Sequence, residues 1–192
     1  MIICIERECG SGAHVVAEHL SRIYSLPLYD RQSLIREAKT TGVYDQMKKF
    51  FEERPTENSY LSISKGDESP EFGRELYEMF RELIEPESFI LIGRCGNYIY
   101  RKRRDEMVSI FLHAEINDRV KRTMKKQHLD RWNAGKIVDE VDDKRRAFHK
   151  YYTGTTWGMA ADYDLCLNTS YLGIPGAVHM INEYIDAKFG EK

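Results

Sequence analysis

Three places in this chain hold residues whose type and setting could do chemistry. Gly10-Ser11-Gly12 forms a tight turn between an apolar run, residues 2–6, and a helix-like repeat that opens at Ala13. Glycines let the backbone curl so that several N–H groups face one anion, and a helix start adds partial positive charge. The plain alternative is a strand-to-helix turn whose glycines serve geometry alone. Asp30 ends a second apolar run, and Arg94 follows a third, directly after Gly93. Further on come Arg119, Arg122, Arg131, Arg145 and Arg146. A guanidinium holds phosphate through two parallel hydrogen bonds. These arginines are phosphate ligands if the fold gathers them, and solvated helix faces if it does not.

The turn departs from the full phosphate-loop signature, G-x-x-x-x-G-K-[ST]. Aligned on Gly12, Arg7 stands at the first glycine, Ala13 at the lysine and His14 at the hydroxyl residue. The lysine normally serves the outer phosphates and the hydroxyl Mg2+. His14 lends positive charge only when protonated, its ordinary pKa lying near ~6.5. Arg7 could supply part of the missing charge, or be neutralised by Glu6, Glu8 or Asp30.

The elements that must position these residues follow from periodicity. Ala13, Val16, Ala17, Leu20 and Ile23 mark one helix face after the turn. Residues 26–29 read as a second short strand and 31–40 as a helix. Residues 42–73 are polar and broken by Pro55, Asn58, Gly66, Pro70 and Gly73, and read as an irregular insertion. Leu76, Met79, Phe80, Leu83 and Ile84 restore helical spacing. Residues 89–92 and 108–112 are buried strands, with a short basic helix near 97–104 between them. Residues from 117 and from 128 to 153 are charged helices. Residues 164–167 form the last strand, and the final helix begins near Pro175, a residue suited to a first turn. Strands alternating with helices predict a five-stranded parallel sheet covered on both faces. Ligands in such sheets sit at the carboxyl ends of the strands, where Gly10–Gly12, Asp30 and Arg94 all fall.

Bulk properties narrow the function. With 192 residues and 42% hydrophobic content, one domain with one sizeable core is expected. Lys and Arg total 29 against 31 Asp and Glu, so the overall field favours neither nucleic acid nor an anionic membrane. The basic run Arg101–Arg104 has acidic neighbours and reads as a solvated face. Cys4, Cys9, Cys95 and Cys166 lack metal spacing, so free thiols in a reducing cytoplasm are expected.

Taken in order, several motifs resemble the cytidylate-kinase-like family. Residues 6–12, ERECGSG, are similar to its modified phosphate loop. Tyr29-Asp30-Arg31, Ile92-Gly93-Arg94-Cys95, residues 111–124 with Arg119 and Arg122, residues 142–146 and residues 163–174 extend the match along most of the chain. Where the family has a basic residue after the loop, this chain has Ala13 and His14. The resemblance implies a P-loop kinase three-layer sandwich spanning residues 1–192, with 42–87 as an acceptor-binding insertion and 117–153 as a helical lid. It implies transfer of a phosphoryl group from ATP, with Mg2+, to a nucleoside monophosphate, CMP or dCMP. Gly10, Ser11, Gly12, Ala13 and His14 would hold ATP phosphates and Asn168 the adenine. Arg94, Asp143, Arg145 and Arg146 would hold the acceptor. Arg94, Arg119, Arg122, Arg131 and Asp30 would serve catalysis, with Asp30 reaching the metal through water. The altered loop keeps two alternatives open: a nucleotide-binding regulator with little turnover, and a kinase for another small molecule.

Overall fold

The computed structural model describes residues 1–53 and 70–190. In chain order the elements are β1 (Ile2–Arg7), α1 (Ala13–Tyr24), β2 (Leu28–Tyr29), α2 (Arg31–Thr40), α3 (Tyr44–Phe51) and α4 (Pro70–Glu82). Then follow β3 (Phe89–Ile92), α5 (Gly96–Ile99), a 3-10 segment (Arg101–Glu106), β4 (Met107–His113), α6 (Ile116–Gln127), α7 (Arg131–Thr153), β5 (Leu165–Asn168) and α8 (Thr169–Phe189). The sheet order is β2-β3-β1-β4-β5 and every pairing is parallel.

The strands are apolar at successive positions because both faces are covered. On β1, Ile2 and Cys4 enter one core, with Phe89 and Leu91 of β3 and residues of α2, α3, α4 and α7. Ile3 and Ile5 enter the other, with Ile90, Ile92, Ile110 and residues of α1 and α8. The two-residue period of a strand thus sorts one apolar run into two hydrophobic layers. A third, small cluster of Val120, Ala134 and Val138 packs the α6–α7 hairpin, with Cys9 against it.

Three expectations need adjustment. The stretch 42–73 contains a regular helix, α3, whose Met47, Phe50 and Phe51 are fully buried; the breakers Pro55, Asn58 and Gly66 lie outside the described residues. The basic helix near 97–104 is one turn of α-helix followed by the 3-10 segment. The final helix starts at Thr169, is interrupted at Gly173 (φ 65°, ψ 180°), and resumes at Pro175. Among the described residues no helix is long and apolar enough to cross a membrane. All four cysteines are free thiols.

Candidate phosphate-binding site

The glycine turn joins β1 to α1 at the carboxyl edge of the sheet. Gly12 precedes α1 in a left-handed conformation, and no side chain caps the helix start. The first amides of α1 are therefore left for another acceptor. Gly10 is required by a close approach: a Cβ there would meet the backbone Cα of Arg119 at 2.8 Å.

Arginines from three elements converge on this turn. Arg119, on α6, pairs with Asp142 and lies 3.4 Å from Glu8. Arg145, on α7, donates to the carbonyl of Arg7 at 3.0 Å. Arg7 itself runs from β1 toward Gly93 at the end of β3. A Cβ on Gly93 would overlap its guanidinium, with Cζ at 2.9 Å, and Gly93 also has φ +77°. The nearest acid to Arg7 is Glu6, at 3.9 Å. Burial, then Arg145, push the Arg7 guanidinium down to about 9, with Glu6 opposing; it remains charged at neutral pH. The buried Nε atoms of Arg7, Arg94 and Arg145, and the buried Oγ of Ser11, have no hydrogen-bond partner among the described residues. Orphaned donors of this kind are rare in a folded interior and call for an explanation such as strain, bound water or a ligand acceptor.

Other predicted residues have different work. Arg122 donates to the carbonyl of Gly10 and to both the Oγ1 and carbonyl of Thr169, while Thr169 donates to the carbonyl of Ser11 at 2.7 Å. It braces the turn against the start of α8. Arg94 is 2% exposed: it pairs with Glu53 at 3.0 Å, donates to the carbonyl of Phe50 and lies over the Phe148 ring. Arg94, expected as an acceptor contact, is thus enclosed among these groups. Burial lowers its pKa, and Glu53 opposes that.

Asp30 is the N-cap of α2, its Oδ1 accepting from the amides of Gln32 and Ser33 at 2.9 Å each. The cap leaves Oδ2 3.8 Å from His14 Nε2, beside the start of α1. His14 does not bring a cation: burial first, then Arg7, Lys126 and Arg145, hold its pKa below the ordinary histidine value despite Asp30. Ala13 is buried in the core below α1, so only its backbone faces the turn. Asn168 caps α8 by accepting from Ser170 N.

The hairpin residues divide by helical phase. Asp143 and Arg146 pair with each other on the exposed face of α7, and Arg131 bonds to Asn117 Oδ1 at 2.6 Å in solvent. The carboxylate at the site is Asp142 instead, 3% exposed, accepting from Cys9 N at 2.7 Å and facing Arg119 and Arg145. The signal for it was present: Ala134, Val138, Asp142, Arg145 and His149 fall on one helix face at intervals of four and three. Glu53 carried no sequence signal, because its partner Arg94 is distant in the chain.

A cytidylate kinase of Pyrobaculum islandicum is 26% identical over 195 residues, covering 100% of this chain and 96% of the relative. An uncharacterized protein of Eubacterium ventriosum of known structure is 25% identical, with a TM-score of 0.72 over 97% of this chain and 99% of that one. Shikimate kinase from Bacteroides thetaiotaomicron shares the fold, with a TM-score of 0.51 at 13% identity over 97% and 98% of the two chains. Residues 2–171 match the cytidylate kinase-like family, and with its parallel five-stranded sheet and arginine-ringed glycine turn the chain belongs to that family.

Proposed function

We propose that this protein transfers the γ-phosphoryl group of ATP to a nucleoside monophosphate, with CMP or dCMP as the acceptor. The observation that carries this reading is the set of buried guanidiniums with unpartnered Nε atoms around the uncapped start of α1. Membership in the family and the relative named cytidylate kinase support the acceptor class.

In this reading the amides of Gly10 to His14 hold the donor phosphates, and Arg119 and Arg145 neutralise charge that spreads over the migrating group. Asp142 fixes both arginines by facing them at once. Arg122 and Thr169 hold the turn in shape. The α6–α7 hairpin acts as a lid that excludes water, a competing acceptor. Arg94, Arg145 and Asp142 line the acceptor side.

Mg2+, if bound, would lower the phosphate charge the arginines must meet. No group of three or more His, Cys, Asp or Glu forms a metal cluster among the described residues. The residues suit an ion held chiefly by phosphates and water, and Asp30, whose Oδ2 the cap bonds leave available, would be the residue to hold it through water.

A second reading, nucleotide binding with little turnover, draws on the neutral His14 and the Ala13 backbone, which leave the turn without the usual lysine. One experiment separates them. The purified protein is mixed with ATP, Mg2+ and each nucleoside monophosphate in turn, and ADP formation is followed. Turnover greatest with CMP or dCMP supports the kinase. ATP-induced thermal stabilisation without turnover on any acceptor supports the second reading.

A further inference from the structure

Arg7 has no role in the assignments above beyond its carbonyl, yet its side chain occupies a distinctive place. It leaves the end of β1, which the Gly10–Gly12 turn follows, and lies against Gly93 in the Gly93-Arg94 turn that follows β3. On the proposed reading, the first turn holds the donor phosphates and the second faces the acceptor. The interval between them is where the migrating phosphoryl group must travel.

Its electrostatic setting is that of a cation awaiting an anion. The guanidinium is almost wholly enclosed, and among the described residues its only acid within 4 Å is Glu6 at 3.9 Å and its Nε has no partner. Arg94 and Arg145 stand close enough to disfavour its charge, and Glu6 and Glu53 close enough to favour it. Burial first, and then the charge of Arg7, lower the pKa of His14 at the opening of α1. A buried cation so thinly paired is costly unless a ligand anion completes the pairing.

We infer that Arg7 is a catalytic residue that contacts the terminal phosphoryl group of the donor, and so supplies the charge that a lysine at position 13 would supply in a full phosphate loop. It replaces that lysine from the strand side of the turn because position 13 points into the core. Arg7 stays protonated throughout; the phosphorus–oxygen bond to the leaving diphosphate breaks, one to the acceptor oxygen forms, and the guanidinium donates hydrogen bonds to the equatorial oxygens. This inference rests on the phosphoryl-transfer reading but has a separate test.

The test compares affinity for ATP and ADP by calorimetry in wild type, Arg7→Gln and Arg7→Lys. Contact with the terminal phosphoryl group predicts that Arg7→Gln weakens ATP about tenfold or more while ADP changes less than about twofold, with Arg7→Lys between. Turnover should fall about a hundredfold in Arg7→Gln. A purely structural Arg7 would weaken ATP and ADP equally, and that result overturns the inference, as does no change in either. If Arg7→Gln fails to fold by circular dichroism, Arg7→Lys, which keeps charge and stem, decides by the same ATP-to-ADP comparison. Wild type that binds ATP but phosphorylates no monophosphate defeats the kinase reading and leaves the ATP-to-ADP comparison valid for Arg7. Wild type that binds neither nucleotide defeats both.

Discussion

The carboxylate of Asp142, in the middle of α7, accepts a hydrogen bond from the backbone N–H of Cys9 across 133 residues of chain, at 2.7 Å. The same carboxylate faces Arg119 and Arg145, so one side chain joins the hairpin to the glycine turn. Removing it strands two largely enclosed guanidiniums. Asp142→Ala should therefore destabilise the fold by about 3 to 5 kcal/mol. Asp142→Asn should cost less, because its amide oxygen still accepts from Cys9. Urea unfolding of both variants checks this; equal costs would separate the effect from the Cys9 bond.

Glu53 is the acid that pairs with Arg94, which has 1% of its side chain exposed. Glu53→Gln keeps an acceptor oxygen but removes the negative charge, leaving that cation in its enclosure with only neutral groups, the Phe50 carbonyl and the Phe148 ring among them. The expected loss is about 3 kcal/mol of stability. If Arg94 serves the acceptor, an added monophosphate should then raise the melting temperature more in Glu53→Gln than in wild type, since its phosphate replaces the missing charge. A smaller rise in the variant would remove Arg94 from the acceptor site.

Acidification should destabilise the protein, beginning with its histidines. Burial lowers the pKa of His149, whose Nε2 shares a 3.0 Å hydrogen bond with Thr155 Oγ1, and burial likewise lowers that of His14. As pH falls through the ordinary histidine range, the unfolded chain takes up these protons before the folded one does. The stability these groups contribute is present above about pH 6.5 and is lost as pH falls from there toward the folded-state values. Burial pushes Asp30 upward, but the capping bonds and His14 together outweigh it and hold the carboxyl below its ordinary range, so its contribution is lost only at lower pH, beneath about 3.8. Melting temperatures between pH 7.5 and 5 should fall, and His149→Gln should flatten the slope. A histidine NMR titration that placed His14 above its ordinary midpoint would contradict the account.

Trp132 opens α7 with 81% of its surface exposed, while Trp157 packs edge-on against Phe111 at 5.3 Å. Trp157→Phe leaves Trp132 as the single reporter on the hairpin. Its emission should shift to the blue when ATP and CMP are added together, if the hairpin closes as a lid. Trp132→Ala should alter stability by no more than about 0.5 kcal/mol, because the side chain makes little of the core. Unchanged emission at saturating nucleotide would argue for a hairpin that stays in place.

The sheet was legible because its strands are apolar without interruption and end in Gly, Asp or Gly-Arg, which also marked the edge carrying the site. The helix α3 was hidden because its eight residues sit inside a polar, proline-broken stretch, although Met47, Phe50 and Phe51 repeat at three and one. Gly10–Gly12 and the arginines were visible by type. Which arginine touches the turn was not, since Arg119, Arg122 and Arg131 look alike until the fold gives each a partner. Asp142 and Asp143 are neighbours with opposite fates, decided by a helical rotation of about 100°.

The overlap that a side chain at Gly93 would make with Arg7 binds these two positions into one unit of sequence change. A chain that drifts from glycine at 93 must first shorten residue 7, and one that loses Arg7 releases 93 from this steric demand while its positive φ still favours glycine. Directed evolution that moves this scaffold toward another acceptor should therefore find the two positions altered together or left alone, even though 85 positions separate them along the chain.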